Sequence, residues 1–337
     1  MKIKPFIFCL LLLLGGKLLH SQERKLVVAK DGSGNFRTIQ EAINAVPGDN
    51  KTAFLILVKN GEYNEKLSIV TPFITIKGED REKTIIRFSI ARDEYRCGQE
   101  DDWGVATLNV KANDISLENL TITNTYGLEN KSDRIIDCAN DSTGKKLVRK
   151  DGHQMALRVL DATRLKAVNC HFIAYGGDTV SPWEVDNGLW YFKDCVMEGG
   201  VDHYCPRGWA WAERCVFIAR SGTAAIWHDG SHVKDSRSVL VDCEFRGYDG
   251  FLLGRYHRDA QFYLVNCRFA QNMRDSAIYL VPTSNIIQWG KRTYYYNCHR
   301  EGGNDYSWYR DNLPEGLDPK QITVKWLFGE RWQPENK

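Results

Sequence analysis

The chain has 337 residues, of which 43% are hydrophobic and 26% charged, and its formal net charge is +2. These are ordinary globular proportions with enough length for a large core, and they exclude a disordered chain and a polytopic membrane protein. No basic stripe accompanies the small net charge, so nucleic acid is not an expected partner.

Lys2 and Lys4 precede an apolar run from Pro5 to Gly16, and small or polar residues follow to Ser21-Gln22. This is the pattern of a secretory signal peptide over residues 1–21; the run is too short, and is interrupted by Lys17, to span a membrane. Residues 22–337 are then expected to form a single domain with no integral membrane segment. It would be exported to the periplasm, the cell surface or the medium. Losing Lys2, Lys4 and Lys17 leaves the mature chain near neutral, and a local cluster of cations can still bind an acidic substrate.

One convincing helix comes next. Thr38 is a plausible N-cap, Ile39, Ala42, Ile43 and Val46 follow at helical spacing, and Pro47-Gly48 ends the pattern. Beyond it lie short β-rich runs such as Phe54 to Val58, Ile74 to Ile76, Ile115 to Leu117, Val239 to Val241 and Phe262 to Val265. Gly, Asn and Asp punctuate them. The polar stretches Arg92 to Trp103 and Ser132 to Lys150 read as loops inserted between coils.

The cysteines reveal a repeat. Cys170, Cys195, Cys215, Cys243, Cys267 and Cys298 recur at intervals of 25, 20, 28, 24 and 31, mostly as Asn/Asp-Cys steps with an apolar residue two positions on. No CxxC pair exists, so zinc binding is poorly supported, and one small buried residue per structural repeat is the better account. Cys97 and Cys138 fall outside the series and could bridge an insertion. Short strands every 20 to 30 residues with aligned steps indicate an all-β parallel β-helix, with the short N-terminal helix capping its open end. A sandwich or barrel would show more hairpin turns at shorter spacing.

Gln154, Asp178 and Asp202 are spaced 24 residues apart, the interval of the cysteine repeat. On successive coils they would stack about 4.8 Å apart, and two close carboxylates cannot both ionise cheaply. That is an acid beside a base or nucleophile; equally, it is a ladder of turn residues capping backbone groups.

The words around these residues resemble those of the pectin methylesterases, secreted carbohydrate esterases on a right-handed parallel β-helix, from about Leu26 to Pro334. Gly61-Glu62-Tyr63-Asn64-Glu65 is similar to G-x-Y-x-E, and the stretch Ala112 to Gly127 resembles the coil that follows. Gln154-Met155-Ala156-Leu157 resembles Q-A-V-A-L, and Tyr175-Gly176-Gly177-Asp178-Thr179-Val180 resembles Y-Q-D-T-L. Gly200-Val201-Asp202-His203-Tyr204-Cys205 lies where the family has V-D-F-I-F-G, and Leu253-Gly254-Arg255-Tyr256-His257 resembles L-G-R-P-W. Each word is weak alone; together, in the correct order, they are specific.

The resemblance implies an aspartate esterase acting on methylated galacturonic acid units of a pectic polysaccharide or oligosaccharide. Asp202 would be the nucleophile and Asp178 the acid and then the base, while Arg255 would orient Asp202 and keep it ionised. Gln154 would hold the oxyanion. Substrate contacts would come from His257, Tyr256, His203 and Tyr175. No metal or other cofactor is implied, and the chain is expected to act as a monomer. The chemistry is coherent on its own terms: a carboxylate nucleophile needs a low pKa, which a guanidinium supplies, and its partner acid needs a raised one.

Departures from the family words are local. The glutamine expected before Asp178 is Gly177, so one oxyanion donor is missing, a gap that backbone N–H groups, His153 or His203 could fill. The residues after Asp202 are His203-Tyr204-Cys205-Pro206, and the tryptophan of L-G-R-P-W is His257, a poorer surface for a sugar ring. Together these point to a branched or decorated pectic substrate. The alternatives are a catalytically inactive pectin-binding β-helix and, with less support, a β-helical pectic lyase or glycoside hydrolase. His203, His228, His232 and His257 carry no metal-ligand signature. Trp183, Trp209, Trp211 and Trp227 flank the proposed site in sequence, for sugar stacking or for packing.

Overall fold

The computed structural model describes residues 24–335, so the expected signal peptide lies outside the described residues. The chain winds as a right-handed parallel β-helix in which each coil lays one strand on each of three sheets. The first sheet has ten strands, from Lys25–Val28 to Thr293–Tyr296, and the second has nine, from Gly61–Asn64 to His299–Arg300. The third comes in two blocks, Leu67–Ile69 through Val180–Trp183 and Ala224–Trp227 through Tyr279–Leu280. Tyr204 joins the blocks, bridging Val180 on one side and Ile226 on the other.

The repeat stacks like on like. On the second sheet Phe172, Met197, Phe217, Phe245 and Phe269 pair in register and point inward. Phe217 and Phe245 stack with centroids 4.8 Å apart. The six repeat cysteines are buried free thiols one residue after the corner between the first and second sheets. That corner requires left-handed backbone: Asn119, Asn169, Asp194, Arg214, Asp242, Asn266 and Asn297 all have φ between 49 and 54°. Asn and Asp tolerate this region better than other non-glycine residues, which explains the Asn/Asp-Cys steps. The side chains continue the ladder. Asn169 donates to Asn119, Asn266 to Asp242 and Asn297 to Asn266, and Arg214, lacking an amide, forks onto Asp194.

The N-terminal helix spans Ile39–Asn44, ending just short of Val46, which is still buried. Thr38 Oγ1 accepts from the Glu41 N–H, and the Glu65 carboxylate accepts from the N–H groups of Ile39 and Gln40. The G-x-Y-x-E word therefore has a structural task here: its glutamate satisfies orphan donors of the helix that closes the solenoid.

The polar stretches do not separate coils. They are inserted within coils, between a second-sheet strand and a third-sheet strand. One carries a helical turn, Arg92–Tyr95, and the other an antiparallel hairpin, Arg134–Asp137 with Lys145–Val148. A Cys97–Cys138 disulfide ties the two together. Both insertions lead directly into the third sheet and wall one side of its outer face. At the other end the tail helix Val324–Phe328 packs on the first sheet, covering Trp209 and Trp211. Among the described residues no helix is long and apolar enough to cross a membrane.

Candidate active site

Strand alternation divides the third sheet cleanly. Leu157, Val180, Tyr204 and Ile226 point into the core. Arg158 and Ser181 pair in register on the outer face, as do Trp227, Arg255 and Tyr279. Asp178 and Asp202 stand just ahead of this face on successive coils. Each has left-handed backbone, φ 61° and 52°, and each donates its N–H to the next coil, to Val201 O and Ala224 O. The turn conformation aims both carboxylates outward from one corner.

Arg255 holds Asp202. Its Nε lies 3.0 and 3.2 Å from the two carboxylate oxygens and its Nη2 lies 2.8 Å from Oδ2. Such a fork fixes orientation as well as charge. The carboxylate is nevertheless pushed up to about 6, because its burial outweighs the guanidinium and the Asp178 charge adds to the rise. The sequence reading put a low pKa on the nucleophile; the structure puts it well above the usual carboxylate range, since taking the charge out of water costs more than one arginine returns. Asp202 is therefore ionised only above about pH 6.

Three site expectations need correction. Gln154 is fully buried: its Oε1 accepts from the Gly127 N–H at 2.9 Å and its Nε2 donates to the Lys150 carbonyl. The side chain braces an insertion and does not face the groove. The residue that does is His153, which bridges Gly177 across the coils and brings Nε2 to 3.8 Å from Asp178 Oδ2. Aligned without a gap, His153-Gln154-Met155-Ala156-Leu157 is the counterpart of Q-A-V-A-L, with His153 at the glutamine. Tyr256 points into the core beside Phe262, because the residue after an outward Arg255 must point inward. His203 is also buried; its Nδ1 donates to Gly200 O at 3.1 Å, and burial lowers its pKa to about 4, so it is neutral.

His257 and Tyr175 remain partly accessible on the outer side. Trp227 Nε1 donates to His257 Nδ1 at 3.1 Å, and the Lys150 ammonium sits 4.6 Å over the Tyr175 ring. Gly177 is set by close packing: a Cβ there would lie 2.9 Å from the Val201 carbonyl oxygen. Of the remaining histidines, His228 is buried with Nε2 2.7 Å from Gly208 O, and His232 pairs with Asp186, so the four do not converge.

Comparison with known proteins agrees with this fold. Residues 25–160 match the family model for pectinesterases. A probable pectinesterase/pectinesterase inhibitor of Arabidopsis thaliana is 27% identical over 93% of the chain, and a putative pectinesterase of the same plant is 28% identical over 90%. The chain is similar to pectinesterases along most of its length. It spans 53% of the first of these relatives and 79% of the second. Pectin methylesterase PemA from Erwinia chrysanthemi shares the fold with a TM-score of 0.70, 21% identity and coverage of 91% of this chain and 97% of that one. A pectin methylesterase solved in complex with a hexasaccharide has a TM-score of 0.68 and 21% identity, covering 92% and 98%.

Two arginines of the third sheet went unnoticed in the sequence. Arg158 and Arg207 converge on Ser181 Oγ, at 2.8 and 3.4 Å, although 49 positions separate them. The coil period was the available signal, since Arg158 pairs with Ser181 directly.

Proposed function

We propose that this protein hydrolyses methyl esters of galacturonic acid units in a pectic polymer. The observation that carries the proposal is the Asp202–Arg255 fork beside Asp178, at one corner of an outer face walled by insertions. Asp202 attacks the ester carbonyl carbon and forms a tetrahedral oxyanion. Collapse breaks the bond to the methoxy oxygen, which takes a proton from Asp178 and leaves as methanol. Asp178 then removes a proton from water, whose oxygen attacks the galacturonoyl carbon of the anhydride formed with Asp202 and breaks that carbon's bond to the Asp202 oxygen. Asp202 is regenerated and the acid product releases its proton to solvent.

His153 takes the oxyanion role in this scheme, since Gln154 is committed to backbone partners and Gly177 has no side chain. A donor so placed is typically worth about 10²–10³ in rate. The walls built by the disulfide-linked insertions, and His257 in place of a flat indole, favour a decorated or branched pectic substrate. Export of a monomer by the N-terminal signal fits a polymer substrate outside the cell.

The test is methanol release from simple methylated homogalacturonan and from branched pectins, by the natural protein and by Asp202→Asn, with and without chelator. Methanol from the natural protein alone, indifferent to chelator, supports the aspartate esterase. Glycan binding without methanol from any substrate would replace it with a non-catalytic binding protein, the reading that Gly177 and the buried Gln154 favour.

A further inference from the structure

The two insertions meet the third sheet with little apolar packing to hold them. Ala91, Tyr126 and Val148 form one small buried cluster, and Tyr95 packs on Val105, Ala106 and Met155 in another. Polar ties supply the rest. The Cys97–Cys138 disulfide joins one insertion to the other, Arg134 pairs with Glu94 at 2.8 Å, and the Asn140 amide donates to the carbonyls of Arg96 and Gln99. Docking on the sheet falls to Asp102. Arg92 forks onto its carboxylate at 2.9 and 2.8 Å, and Arg96 and Arg158 each come within 3.7 Å. Arg158 belongs to the sheet itself, on the strand Met155–Leu160, and is 2% exposed. Among the described residues no other carboxylate lies within ion-pair distance of it.

The same turn reaches the neighbour of the acid pair. Arg92 donates its N–H to the His153 carbonyl at 3.0 Å, so the residue that forks onto Asp102 also holds the backbone of His153. The second insertion holds the next residue, since the Gln154 amide donates to the Lys150 carbonyl. His153 needs such support. Its side chain is 46% exposed, and packing alone does not fix a ring so open. A donor that must meet an oxyanion depends on where its backbone is placed, and a shift of about 1 Å can cost about 10²-fold in rate.

We propose that Asp102 is a positioning residue for the ester hydrolysis: by holding Arg92 and Arg158 together it docks the disulfide-linked insertions on the third sheet and fixes the His153 backbone. This deepens the proposed function and rests on the oxyanion role that it gives His153. Asp102 acts through Arg92 and not on the substrate. A second route from Asp102 to the chemistry exists, because the Asp178 charge acts on both Arg92 and Arg158. Along that route, removing Asp102 would alter the charge facing Asp178 and leave His153 in place. A double-mutant cycle separates the two.

The cycle compares methanol release from methylated pectin by the natural full chain, Asp102→Asn, His153→Ala and the double variant. The expectation is that Asp102→Asn lowers kcat roughly 10-fold with KM changed by less than about 2-fold, and lowers kcat by less than about 2-fold when His153 is already alanine. Asp102→Glu, which keeps the carboxylate, should recover most of the loss. Arg92→Lys, which keeps the backbone donor and the charge but loses the fork, should fall between the natural protein and Asp102→Asn and guards against a misfolded asparagine variant. An equal loss in both backgrounds would overturn the proposal and route the effect through Asp178. A raised KM with kcat unchanged would overturn it as well, because the insertions would then only bind substrate. A second measurement needs no turnover. The imidazole C–H resonances of His153, assigned by their loss in His153→Ala, should shift or broaden in Asp102→Asn and return in Asp102→Glu; resonances that stay unchanged in Asp102→Asn would overturn the proposal. If the natural protein releases no methanol while these resonances respond as expected, the esterase reading falls and the contact from Asp102 to His153 stands.

Discussion

Two ladders of left-handed acidic or amide residues run along this solenoid, and they do different work. One, at the corner between the first and second sheets, includes Asn169, Asp194, Asp242, Asn266 and Asn297; the other, at the entry to the third sheet, consists of Asp178 and Asp202. Backbone conformation and coil spacing are shared. What differs is the neighbourhood. The corner residues bond one another at the solvent surface, amide to carboxylate and amide to amide, with Arg81 adding to Asn169 and Arg214 holding Asp194. The third-sheet pair are both carboxylates, Asp202 is buried, and its cationic partner, Arg255, comes from a strand two coils further on. A turn ladder becomes an acid pair when burial and a remote cation are added to it.

Replacing the carboxylate on each ladder separates the two most sharply. Asp202→Asn should lower methanol release by roughly 10⁴-fold or more, as loss of a covalent nucleophile does. Asp242→Asn, the same chemical change on the corner ladder, should leave the rate within 2-fold and stability within about 0.5 kcal/mol. A comparable rate loss at both positions would mean that the third-sheet pair is also only structural.

Arg255→Gln removes the remote cation. Roughly 10²–10³ should be lost in kcat/KM, and the acid limb of its pH profile should move upward from about 6, since the guanidinium is what holds the Asp202 pKa down against burial. An unmoved limb would show that Asp202 does not titrate in the profile.

His153 distinguishes the oxyanion assignment. We expect His153→Ala to lose about 10²-fold in kcat with little change in KM, and His153→Gln to recover most of it. If Gln154→Ala has that kcat effect instead, with normal thermal stability, the assignment belongs to Gln154.

Stability against pH gives the smallest and cleanest signal. The folded Asp202 pKa of about 6 lies above the ordinary aspartate value, so the folded state binds the proton more tightly. Its contribution is fully present below about pH 4 and is lost as pH rises through 6. Relative to Asp202→Asn, the natural protein should lose up to ~3 kcal/mol between pH 4 and 7, read from denaturant midpoints. An unchanged difference across that window would place Asp202 in a better solvated site.

Much of this was legible in the order of residues. The Asn/Asp-Cys steps, recurring with an apolar residue two positions on, determined the stacked coils, because a left-handed corner and a small buried residue after it are local requirements. The 24-residue spacing likewise determined that Asp178 and Asp202 are neighbours. Side-chain direction at the irregular points was not legible. A gap of one residue in reading the segment at His153 exchanged a groove residue for the buried Gln154, because successive side chains on a strand take opposite faces. For the same reason Tyr256 went to the core while Arg255 reached Asp202. Only the tertiary structure decided which carboxylate lies deeper, and it alone brought Arg158 and Arg207 to one hydroxyl beneath Trp183. Burial and charge balance are sums over every coil that packs against a site, and no single segment of the chain contains them.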